Sequence, residues 1–114
     1  MAEIDSADVR NAESTRRWLS SRQDLWGASA NNDTLIETLT RFCQFAGKSP
    51  DEMVDDCLRP GKAGETLTLR TRARRQYMDL IELFEGAVRS RPQGNIARSF
   101  LIHNGIAMNP GILP

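Results

Sequence analysis

Apolar residues recur along this chain at helical spacing, and the polar breaks between the recurrences predict a succession of helices. Ala12, Thr15, Trp18 and Leu19 predict a first helix over about residues 9–22, preceded by a polar, acidic end that reads as frayed over residues 1–12. The turn formers of residues 27–33 predict a connector. Thr34-Leu-Ile-Glu37 has the form of a capping box, in which the threonine hydroxyl accepts from the Glu37 amide and the glutamate reaches back. Leu35, Leu39, Phe42, Cys43 and Ala46 continue from it as one apolar stripe, and Gly47 suits a left-handed end. A second helix start follows at once: Ser49 as N-cap, Pro50 at the first helical position and Glu52 at the third. Met53, Val54, Cys57 and Leu58 give that helix a buried side, and Pro60-Gly61 predicts its stop.

Residues 62–66 read as a loop. A long helix then begins at Leu69 or Thr71 and runs to Val88, with Leu69, Ala73, Tyr77, Leu80, Phe84 and Val88 as its stripe and Ile81 beside it. At about 100° per residue, Arg72 and Arg75 fall on its outer side while Arg70 and Arg74 flank the stripe. Asp79, Glu82 and Glu85 continue the outer side as acids. Arg91-Pro92-Gln93-Gly94 reads as a turn, Asn95 as the N-cap of a last helix through His103, and Asn104-Gly105 as its C-terminal cap. Ile106 to Pro110 reads as an extended exit and residues 111–114 as the start of a linker. No repeat and no convincing strand alternation appears, so the predicted class is all-α.

Length and composition narrow the choices. At 114 residues the chain fits one domain able to bury a core without disulfides. It has no apolar run of ~18 residues to span a bilayer, and no charged-then-apolar leader. Cys43 and Cys57 stand alone, without CxxC or Cys/His spacing, so neither a metal cage nor a disulfide framework is expected. A soluble, cytoplasmic protein without cofactors is the expectation, with no membrane partner.

The zero net charge conceals a division. Residues 1–57 carry six basic and eleven acidic groups, whereas residues 58–114 carry nine and four. Arg70, Arg72, Arg74 and Arg75 put four cations into six residues with no acid among them, and Lys62, Arg89, Arg91 and Arg98 add the same sign around them. Such asymmetry points to a polyanion or an acidic partner surface; a solvated helix face is the bland competitor. Basic side chains also crowd the positive end of the long helix's own dipole, which costs the helix and weakly favours a functional reading.

Catalytic chemistry finds no candidates. The only tyrosine, Tyr77, lies on the apolar stripe, and His103 sits near a helix C-terminus with no nucleophile at a recognisable spacing. Asp51, Glu52, Asp55 and Asp56 could suggest a hard-cation site but belong to a capped first turn and its exposed face, so no metal site is predicted. Glycines 61, 64 and 94 are isolated and form no phosphate loop.

Taken in order, these elements resemble a known family. The stretch TLIETLTRFCQFAGKSPDEMV from Thr34 to Val54 resembles the first half of the core-binding domain of tyrosine recombinases, the phage-type integrases, which reads roughly T-x-x-x-x-L-x-x-F-C-x-F-x-G-K-x-P-D-E-L. A long helix ending Leu80-Ile-Glu-Leu-Phe84, a turn with Pro92, and Ala97-Arg-Ser-Phe-Leu-Ile-His-Asn-Gly-Ile106 follow in the family's order, the last resembling V-K-S-F-Y-x-x-N-G-I. Begun at Asn95, this last helix would be about one turn shorter than the family's.

The resemblance implies a SAM-like four-helix orthogonal bundle over residues 32–110, with an additional N-terminal helix inside a flexible segment of residues 1–31. It implies a non-catalytic clamp on one side of duplex DNA. A separate catalytic domain of the parent recombinase, and further copies of the chain on the DNA, are the other implied partners. Thr34 would then stand near the DNA backbone, and Gln93, Asn95 and Arg98 at the start of the last helix, where amides and polar side chains meet phosphate. Arg70, Arg72, Arg74 and Arg75 join this DNA-binding set from the charge argument alone. The alternative is an all-α interaction module that docks an acidic protein through the same arginines.

Overall fold

The computed structural model describes residues 4–26, 32–60 and 67–106, so the predicted connector, the loop with Lys62 and the predicted linker lie outside the described residues. Within them stand six helices: α1 (Ser6–Asn11), α2 (Glu13–Trp26), α3 (Asn32–Ala46), α4 (Pro50–Cys57), α5 (Thr71–Val88) and α6 (Arg91–His103). Two three-residue strands, β1 (Leu58–Pro60) and β2 (Leu67–Leu69), pair antiparallel between α4 and α5, with Leu58 opposite Leu69. The fold is helical, as its apolar periodicity predicts. The ribbon was not predicted: three residues are too few for alternation to register.

The N-terminal region differs most from expectation. One predicted helix is two, because Ala12 is extended (φ −65°, ψ 139°) and ends α1, which Asp5 caps by accepting from the Asp8 amide. Both helices enter the common core. Val9 and Trp18 are fully buried; Trp18 stacks edge-on against Phe100 and donates its indole N–H to Ser99 Oγ at 3.0 Å. Within the expected flexible segment, α1 and α2 are therefore ordered helices packed on the core through Val9, Trp18 and Leu19.

Local signals fix the remaining elements. Ser49 and Glu52 form the predicted reciprocal capping box at the start of α4, with Pro50 in its first turn. Gly47 (φ 71°) and Gly105 (φ 90°) take the left-handed conformation that ends α3 and α6. The capping box expected at Thr34 is absent: α3 already begins at Asn32 and Thr34 lies inside its first turn. Asn95 is likewise not an N-cap, since α6 begins at Arg91 behind Ser90, whose Oγ accepts from the Gln93 amide at 3.3 Å. Pro92 lacks an N–H and suits that first turn, so the apparent shortness of the last helix disappears.

The core is continuous. Ile36, Leu39 and Phe42 of α3, Met53 of α4, Ile81 and Phe84 of α5, and Phe100 and Leu101 of α6 are essentially inaccessible, each burial worth about 1.5–3 kcal/mol. The ribbon and the Arg70 N–H donated to Cys57 C=O (2.6 Å) tie the start of α5 to the end of α4. That attachment sets where the arginines of α5 emerge.

Candidate nucleic-acid interface

Buried Tyr77, Ile81 and Phe84 turn α5 so that its opposite face meets solvent. Arg72 and Arg75 are exposed on that face, and Arg70, the N-cap residue, is exposed beside it. Among the described residues, none of these three side chains has a carboxylate within ion-pair distance. Arg74 differs: it is half-buried and engaged, with its charge acting on the buried Cys57 thiol. Arg70 makes no side-chain capping bond and the first turn holds no acid, so the positive end of the helix dipole adds to the guanidinium charge. Gln76 and Asp79, absent from the expected contacts, share this exposed face.

The residues expected at the start of α6 do not join this group. α6 begins at the C-terminal end of α5, and α5 is 18 residues long, about 27 Å at 1.5 Å per residue. Arg98 stands apart from the expected phosphate contacts. It is 7% exposed, and its Nη1 and Nη2 donate to Glu85 Oε2 and Oε1 at 2.5 and 3.1 Å, with a further bond to Asn95 Oδ1 at 2.9 Å. Its charge is paired inside the α5–α6 contact rather than offered to solvent, and Glu85 leaves the exposed acidic face for the same reason. Asn95 is exposed but its carbonyl is committed to Arg98, and half-buried Gln93 accepts from Arg41 at 3.5 Å. Thr34 is exposed next to Asp33, whose carboxylate pairs with Arg10 at 2.7 Å. It lies about 18 Å along α3 from Ala46, the end of that helix nearest Arg70.

Gly94, within the predicted turn, is a helical glycine with a specific reason. A Cβ there would overlap Glu85 Cγ, Cδ and Oε2, so the glutamate reaches Arg98 only because this position lacks a side chain.

A groove of about 580 Å³ runs beside the arginines between α3, α4 and α5, lined among others by Lys48, Asp56, Arg70, Tyr77, Leu80 and Leu83. Tyr77 Oη donates to Asp56 Oδ2 at 2.5 Å. Burial and this acceptor push the phenol far above its ordinary pKa, so it stays protonated.

The acidic run of α4 is structural in three of its four members. Asp51 accepts from the amide and hydroxyl of Ser14 (2.9 and 2.6 Å), capping α2 from outside; Glu52 completes its own helix cap; Asp56 holds Tyr77 and lies 3.8 Å from Lys48. Burial opposes the charge on Asp51, but the hydrogen bonds from Ser14 and Glu13 and the nearby Arg17 outweigh it and hold its pKa below the usual value. His103 Nδ1 lies 2.7 Å from Ser21 Oγ, joining α2 to α6, and burial together with Arg22 lowers its pKa. Among the described residues, no group of three or more His, Cys, Asp or Glu stands together to hold a metal, and no helix is long and apolar enough to cross a membrane.

No protein-family model, curated protein or solved structure matches the chain.

Proposed function

We propose that this chain is a non-catalytic module that grips duplex DNA through the N-terminal turns of α5, of the kind tyrosine recombinases carry as their core-binding domain. In this reading α3 to α6 form the SAM-like four-helix unit and α1–α2 an N-terminal addition. A catalytic domain of the parent protein holds the opposite side of the duplex, further copies assemble on the same DNA, and the chain works in the cytoplasm. The observation that carries the proposal is the exposure of Arg70, Arg72 and Arg75 on one end of one helix, with no carboxylate of the described residues within ion-pair distance of any of them. Such groups cost the fold nothing to release to phosphate, whereas Arg98 would first have to break a buried pair.

A fluorescence-anisotropy titration of labelled duplex at low salt tests it. The wild-type chain binds, the Arg72→Glu/Arg75→Glu variant does not, and both unfold alike in urea. Absence of wild-type binding refutes the proposal. Retention instead of an acidic polypeptide, lost with the same two substitutions, would establish the interaction-module alternative.

A further inference from the structure

Arg72, Arg75, Gln76 and Asp79 stand at i, i+3, i+4 and i+7 of α5, within about 100° of its circumference and directly opposite Tyr77, Ile81 and Phe84. All four are exposed, and none has a hydrogen bond or ion pair to another described side chain. The chemistry of the set is specific. An arginine fork matches the O6 and N7 acceptors of guanine, a glutamine amide matches N6 and N7 of adenine, and a carboxylate accepts from N4 of cytosine. No aromatic side chain is among them, which disfavours stacking on single strands.

Building on the DNA-binding reading, we infer that the first half of α5 is a base-reading helix that enters the major groove of duplex DNA. The helix, about 10–12 Å across, fits the ~12 Å width of that groove, and the four positions span about 10 Å of its axis, about three base-pair steps. Charge sets which half enters: Arg72 and Arg75 lie in the groove with Arg70 at its edge, while exposed Glu82 further along is repelled by the phosphates and keeps the C-terminal half outside. Among the described residues α2 exposes Arg16, Gln23 and Asp24 with one arginine where α5 has two, and α3, α4 and α6 offer no comparable face. The first turns of α3 and α4 are acidic, and the first two turns of α6 commit Gln93 to Arg41 and Asn95 to Arg98. Arg70, at the helix end, contacts backbone in this arrangement and carries no base information.

The test is selection of bound duplexes from a randomised pool by the full chain, followed by sequencing. The wild type enriches a consensus. Arg72→Lys and Gln76→Ala each lose preference at a separate base position, by roughly 5- to 150-fold in relative affinity. Arg72→Lys keeps its non-specific affinity, because the charge remains while the planar fork is lost. Arg70→Ala weakens all sequences equally. Duplex binding with no consensus, or with a consensus that Arg72→Lys and Gln76→Ala leave unchanged, overturns this inference and leaves the DNA-binding reading standing. Failure to retain any duplex overturns both.

Discussion

Replacing Glu85 by alanine would leave the Arg98 guanidinium charged within the α5–α6 contact, with the Asn95 carbonyl as its remaining partner. The two side chains are only 14% and 8% exposed, so solvent does little to screen the loss. Breaking a buried pair from one side costs about 3–5 kcal/mol, a large part of the ~5–15 kcal/mol that holds a domain folded. Gly94 turns this into a sharper experiment. In the wild type, Gly94→Ala drives its methyl group into the Glu85 side chain and expels the carboxylate, for a net loss of about 2–4 kcal/mol once the ~1 kcal/mol helix advantage of alanine is credited. In the Glu85→Ala background the obstacle is gone, so the same substitution should stabilise by about 1 kcal/mol. Urea unfolding of the four proteins, followed by far-UV circular dichroism, measures both values. A Gly94→Ala effect of the same sign and size in the two backgrounds would refute the assignment of Gly94 to this pair.

Three further outcomes follow from the core and its polar links. Asp51 titrates below its unfolded value of about 3.9, so its contribution is complete above that pH and lost as pH falls through the lower folded pKa; the stability gap between wild type and Asp51→Asn should close over that acidic window and stay constant at neutral pH. Burial pushes the Cys43 thiol up to about 12 and the Cys57 thiol, with Asp56 adding to it, up to about 11, so a thiol-reactive dye should label neither until urea unfolds the chain; rapid labelling of the native protein would contradict their place in the core. Thr15 is fully buried and its hydroxyl has no partner among the described residues, so Thr15→Val should raise the urea midpoint by the equivalent of about 1 kcal/mol, and a fall would mean that the hydroxyl is satisfied in solution.

Signals confined to a few neighbouring residues were the most legible in the sequence. The Ser49–Glu52 capping box, the glycine ends at Gly47 and Gly105, and the span of α5 follow from side-chain chemistry acting within one or two turns, and the structure repeats them. Rival local signals were harder to rank. Thr34 and Asn95 both resemble N-caps, yet helix propagation begins earlier in each case, behind Ser90 for α6 and at Asn32 for α3. The split at Ala12 leaves no mark in apolar spacing, because both halves direct apolar residues into the same core. At the candidate interface, the exposure of Arg72 and Arg75 could be read from helical phase alone. The loss of Arg98 could not: its partner Glu85 lies 13 residues away, and only the packing of α5 on α6 brings them together. Gln76 and Asp79 stand four and seven residues after Arg72, a spacing the chain carries, but apolar periodicity marks the buried stripe and not the face opposite it.

Salt dependence of duplex binding tests the central claim most directly. Affinity measured over a range of salt concentrations should fall steeply for the wild type, and removing the charges of Arg70, Arg72 and Arg75 by glutamine substitution should flatten the slope of log affinity against log salt by about 0.9 for each phosphate no longer neutralised. A wild-type slope near zero, or a slope unchanged by the triple substitution, would contradict an account in which the start of α5 grips DNA.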